Sequence, residues 1–218
     1  MRKLMVLPLA GLLALGVAGP VAAGANVANT SGSGETIYGE WSSGNTYGSV
    51  YVGKDSAYGT YAEIYQESGE WVPCDVPTPD KGASTVYDTT GGDGDSGFVG
   101  IRTWGSAEGL TVEVSRRLDT GRATGSVELY TSTVDECNGV YGDAVESAGT
   151  LDVSVVGTGP IASYRGTSHY QVPSQFSGHD NYRAKERAAT GSIVAGDKID
   201  ATFAGAMSLL TWSAHAKE

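Results

Sequence analysis

The chain has 218 residues, 25 acidic side chains against 14 basic ones, a formal charge of -11 and 32 glycines. Such a surface repels phosphate backbones, which excludes nucleic-acid binding driven by counterion release. The length suits one domain able to bury a sizeable core.

At the N-terminus, Arg2 and Lys3 precede an apolar run from Leu4 to Ala18, then Gly19-Pro20 and the small residues Val21 to Ala25. This is the pattern of a secretory signal, too short and too abruptly ended for a membrane span, with cleavage expected after Ala23 or Ala25. Residues 1–23 are read as that signal. The mature protein is expected outside the cell, with no transmembrane segment and no lipid or C-terminal anchor. Residues 24–35 are small and polar and are expected to form a flexible lead into a single all-β domain over 36–218.

From Thr36 onward, short segments alternate apolar and polar residues between Gly, Asp, Asn, Ser and Pro, which is strand spacing. Leu110 to Ser115 is the clearest case: Leu110, Val112 and Val114 face a core while Thr111, Glu113 and Ser115 face water. Gly125 to Tyr130 and Leu151 to Val155 repeat the pattern. Further strands are expected at Ile37 to Trp41, Ser49 to Val52, Tyr58 to Gln66, Glu70 to Cys74, Ser84 to Tyr87 and Phe98 to Trp104. Beyond residue 160 they are expected at Ile161 to Tyr170, Tyr182 to Ala188, Ser192 to Ala195 and Lys198 to Phe203. Turns are read at 53–56, 68–69, 119–121, 137–139 and 196–197. Residues 182–189 contain good helix formers and 206–213 fit either state, but Thr190-Gly191 and Gly205 interrupt a long helix and favour strands. The expected fold is an antiparallel β-sandwich, with a closed or partly closed β-barrel as the alternative.

Cys74 and Cys137 are the two cysteines of the chain. In an oxidising compartment two cysteines pair with each other, so one disulfide is expected.

The motif Gly94-Asp95-Ser96-Gly97 resembles the nucleophile segment of chymotrypsin-like serine proteases. That family's chain order places the histidine and aspartate before the serine, whereas His169, His179 and His215 all follow Ser96, so no triad is read here. Residues 91–97 also resemble one turn of the calcium-binding nonapeptide repeats, which need several stacked copies to complete an oxygen shell. Asp93 and Asp95 are left as a weak calcium candidate and no cofactor is expected. No histidine pair has the spacing of His-Glu-x-x-His. His169 and His179 lie ten residues apart and can meet from neighbouring strands, His215 belongs to a tail expected to fray, and surface or structural roles account for all three. Carboxylates are too many for a catalytic pair to be chosen, and no catalytic residue is assigned.

The sequence holds 12 Tyr and 4 Trp. Tyr47, Tyr51, Tyr58, Tyr61 and Tyr65 fall in one expected hairpin flanked by Trp41 and Trp71, and Tyr61 and Tyr65 share a side by parity. Rings on an exposed face stack on sugars or anchor an interface. The binding candidates are therefore Tyr61, Tyr65 and Trp71, and the expected partner is an extracellular glycan or envelope component held by a non-catalytic protein. The alternatives are a structural, self-associating envelope protein and an extracellular hydrolase using paired carboxylates.

Overall fold

The computed structural model describes residues 27–74, 96–172 and 176–217. These form β1 (Val27–Ser43), β2 (Thr46–Asp55), β3 (Gly59–Pro73), β4 (Ser96–Glu108), β5 (Thr111–Val114), β6 (Thr120–Asp135), β7 (Val140–Tyr141), β8 (Val145–Val172), β9 (Phe176–Ala195) and β10 (Ile199–Lys217). The all-β antiparallel reading and the disulfide are borne out: Cys74 and Cys137 are bonded, with their Cα atoms 5.0 Å apart. Both ambiguous segments are strands, residues 182–189 in β9 and 206–213 in β10. The segment Ser84 to Tyr87 and the candidates Asp93 and Asp95 lie outside the described residues.

The strands make one continuous sheet in the order β4-β3-β2-β1-β10-β9-β8-β6-β5, and a further pairing of β4 with β6 closes it into a ring. Of the two arrangements expected from sequence, the ring is nearer the closed one. The alternation that announced each strand supplies its interior. Val50 and Val52 from β2, Ala62 and Ile64 from β3, Val127 and Leu129 from β6, Leu151 and Val153 from β8, Ile193 from β9 and Met207 from β10 all point inward and are buried. Fully burying one such aliphatic side chain contributes about 1.5–3 kcal/mol, so the ring is held mainly by this apolar filling.

Strand β5 lies beside β6, and an ion pair meets its other edge. The Glu35 carboxylate accepts the Val114 backbone N–H at 3.0 Å, while the Lys54 ammonium donates to the Val112 carbonyl at 3.1 Å and to Glu35 at 3.3 Å. Two backbone groups that a neighbouring strand would ordinarily satisfy are thus capped by side chains of β1 and β2.

Several strands are longer than the alternation suggests. Residues 24–35 are not a flexible lead throughout: from Val27 the chain is β1, paired with β10 as far as Val27↔Lys217, and the expected fraying tail around His215 is its partner. Small polar residues give such a strand no core, but an adjacent strand satisfies its backbone regardless of side chain. The two segments expected at 151–155 and 161–170 are one strand, β8, with a bulge between Gly157 and Ile161 where its register with β9 shifts. The turn expected at Ser68-Gly69 is strand interior in β3.

Beyond the row Glu35–Leu209, the last to reach the core, strands β1, β10, β9 and β8 continue as an arm, four-stranded from Ser33 on, where the pairing of β1 with β2 has ended. The stretch from Ile161 to Val172 reaches about 40 Å at about 3.3 Å per residue. The two faces of the arm differ. One presents Tyr164, Leu210, Tyr182 and Trp212, and the other presents Arg165, Arg183, Thr167, Asn181 and the histidines.

Candidate functional site

The outer face of strands β1, β2, β3, β4 and β6 carries the aromatic surplus. Because Ala62 and Ile64 point into the core, the intervening Tyr61, Glu63, Tyr65 and Glu67 point out. Register then decides what they meet. One row runs Glu40, Ser49, Tyr65, Trp104, Tyr130, Glu146, and the next runs Ser42, Tyr47, Glu67, Arg102, Ser132. On the other side, Tyr38, Tyr51 and Glu63 align in a third row, and Tyr61 lies one row further along.

Rings and carboxylates are coupled on this face. The Tyr38 and Tyr47 hydroxyls both donate to Glu40, and the Tyr65 hydroxyl donates to Glu67, which also takes the Arg102 guanidinium at 2.9 Å. Partial burial, then the bond to Glu67, pushes the Tyr65 phenol up to about 12, so it remains a neutral donor. Burial and the neighbouring Tyr61 hydroxyl likewise raise Tyr51, whose ring sits 5.7 Å from that of Tyr61. Trp104 and Tyr130 stack at 6.1 Å between centroids.

Trp71 lies at the far end of the same face, 63% exposed, its ring 6.1 Å from Phe98. Phe98 is buried outside the ring, because Gly69 and Gly100 leave its side chain room to lie flat: a Cβ on either glycine comes within 3.0 Å of the Phe98 ring. Arg102 covers the ring from above at 5.2 Å and reaches Glu136 at 2.7 Å.

Glu136 also accepts the Phe98 backbone N–H at 3.0 Å. That bond first, and Arg102 after it, hold its carboxyl below the ordinary value of 4.5 against the opposing effect of burial. A carboxyl whose pKa is lowered on folding adds stability that is present above its unfolded pKa and is lost as pH falls through the folded one. Glu136→Gln is therefore expected to lower stability at neutral pH and to flatten its decline in acid. Denaturation midpoints measured between about pH 3 and pH 7 check this, and parallel curves for the two proteins contradict it.

All three binding residues expected from sequence stand on this face, Tyr61 and Tyr65 half-buried and Trp71 exposed. They do not form one cluster: Tyr61 meets Tyr51, Tyr65 meets Trp104, and Trp71 meets Phe98. Trp41, the other expected flank, points into the ring, where it is buried and its indole N–H donates to Gln66 at 3.3 Å. Trp104 and Tyr130 complete the central row and were not legible, because the pairing of β3 with β4 and of β4 with β6 is long-range.

Apart from this face, an open pocket of 1280 Å³ adjoins the core beside β5, and its lining includes Trp41, Phe203, Glu35, Lys54, Glu113 and Arg122. It brings two large apolar rings beside side chains of both signs of charge. No helix of the described residues is long and apolar enough to cross a membrane. Comparison with known proteins finds no family model, no curated protein and no solved structure that matches this chain.

Proposed function

We propose that this protein is secreted and binds a polysaccharide or other glycan of the extracellular surface, without catalysis, through the outer face of β1, β2, β3, β4 and β6. The observation that carries this reading is the row Tyr65, Trp104, Tyr130 with Glu40 and Glu146 at its ends. Aromatic rings offer apolar area to sugar faces, and carboxylates and phenol hydroxyls offer hydrogen bonds to sugar hydroxyls around them. The leader residues and a disulfide both suit export into an oxidising compartment.

Purified protein mixed with insoluble polysaccharides and cell-wall material is expected to be retained by at least one of them. Trp104→Ala and Tyr47→Ala should each weaken retention by about tenfold or more while the fold persists, in line with about 1.4 kcal/mol or more for an aromatic contact at an interface. Equal retention of wild type and both variants removes this face from the binding role.

The arm favours a second reading, self-association. Along the arm, β1 pairs with β10 and β8 pairs with β9, so each presents an outer edge, and Tyr164 and Tyr182 stand exposed on one face between them. A dimer or larger species growing with concentration in sedimentation supports it, and a monomer at every concentration removes it.

A further inference from the structure

The three histidines, scattered in sequence, occupy a single row of the arm. His169 pairs with His179 and His179 pairs with His215, placing one imidazole on each of β8, β9 and β10 on the same face. Ring centroids are 6.0 Å apart for His169 and His179 and 4.7 Å apart for His179 and His215. They are the only histidines of the chain. The row stands at the distal end of the arm, beyond the apolar core.

We propose that this row is a capture site for a divalent transition-metal ion of the copper, nickel and zinc group, held by His179 together with one of its two neighbours. Two imidazoles sharing an ion at metal–nitrogen distances of about 2.0–2.1 Å hold their ring centres about 5 Å apart, between the two separations found here. The ring torsion of histidine is broad, so both nitrogens turn toward a common point at little cost. His179 is half-buried and its neighbours are exposed, which leaves the face open to an arriving ion.

The arrangement sets the stoichiometry and the ligand set. Among the described residues, no three His, Cys, Asp or Glu side chains converge on one ion, so the site uses two protein ligands at a time and water completes the shell. His169 and His215 are separated by a whole strand, about 9–10 Å at about 4.8 Å per strand, and cannot share an ion without the middle residue. His179 belongs to both pairs, so one chain holds one ion. Of the two adjoining rows on the same face, one is neutral, with Thr167 hydrogen-bonded to Asn181 at 2.9 Å, and the other has Lys217 in register with Ser177. Arg165 and Arg183 stand four residues along, about 13 Å at about 3.3 Å per residue, beyond a Debye length of about 8 Å at physiological salt. A pair of imidazole ligands favours copper among the divalent ions, following the general order of stability for nitrogen ligands.

A bound ion ties β9 to β8 or to β10 where no apolar core does so. The site is independent of the outer aromatic face and stands whether or not that face binds glycan.

The test is titration of the full-length mature protein with Cu2+ alone, followed by calorimetry and by the electron paramagnetic resonance spectrum of the bound ion. One ion per chain is expected, with nitrogen coupling in the spectrum. His179→Ala should weaken binding by about 100-fold or more, because a single imidazole loses the effective concentration supplied by its neighbour. His169→Ala and His215→Ala should each stay within about tenfold of wild type, since either leaves one pair intact. His179→Gln, which keeps a polar side chain in the row, should lose binding as His179→Ala does. Binding unchanged in both His179 variants, or an ion without nitrogen coupling, overturns the proposal.

Discussion

Phe203→Ala is expected to lower the thermal midpoint by about 10 °C. Phe203 is buried and its ring fills the space above two glycines: a Cβ on Gly39 would fall 2.0 Å from the ring, and one on Gly191 3.1 Å from it. Removing a buried phenylalanine costs about 3–5 kcal/mol, and about 2–4 °C is lost per kcal/mol in a domain of this size. The glycines sharpen the prediction. Gly39→Ala alone forces the phenyl ring out of place, whereas in the Phe203→Ala background the new methyl group enters vacated space. The two substitutions together should be less damaging than their sum by about 1–3 kcal/mol. Differential scanning calorimetry of the four proteins measures this, and strict additivity shows that the ring does not rest where Gly39 permits.

Loss of the disulfide is the second large effect. Cys74 and Cys137 are 63 residues apart, and closing a loop of that size restricts the unfolded chain by about 4 kcal/mol in the chain-entropy description. The bond joins the residue after β3 to the turn after β6, next to the point where Glu136 holds the Phe98 backbone. Cys74→Ser with Cys137→Ser is expected to lower the denaturation free energy by about 2–5 kcal/mol and to steepen the transition, because the unfolded chain without its cross-link exposes more surface. An equal loss in wild type after reduction locates the effect in the bond itself. No change on reduction contradicts it.

The short strands with strict alternation were legible because each buries one face. Leu110 to Ser115, Gly125 to Tyr130 and Leu151 to Val155 fall within or around β5, β6 and β8, and their apolar members are core residues. The lengths were not legible. Gly157 to Pro160 reads as a break and is a bulge, with Gly159 at a φ of 69°, inside a strand that continues another twelve residues. Gly69 reads as a turn, yet it sits opposite Gly100 beneath the Phe98 ring, a packing reason that only the β3–β4 pairing exposes. At the candidate site, parity correctly put Tyr61 and Tyr65 on one side. It put nothing beside them, because cross-strand neighbours depend on long-range register. The same holds for the histidines, whose spacing of ten residues for one pair and thirty-six for the other becomes adjacency once β8, β9 and β10 are laid side by side.

The arm divides the molecule into two regimes of protection. Amides of the ring are locked by a closed circuit of strands over an apolar filling, and they exchange with solvent hydrogen only when that circuit opens as a whole. Amides beyond the Glu35–Leu209 row have partners on their neighbours but little apolar area to release, so the arm opens on its own and at lower cost. Deuterium should therefore enter the distal rows well before the ring. A protease acting there would cut between β8 and β9 and leave a resistant remnant of two pieces held together by strand pairing alone, since Cys74 and Cys137 both lie in the N-terminal piece.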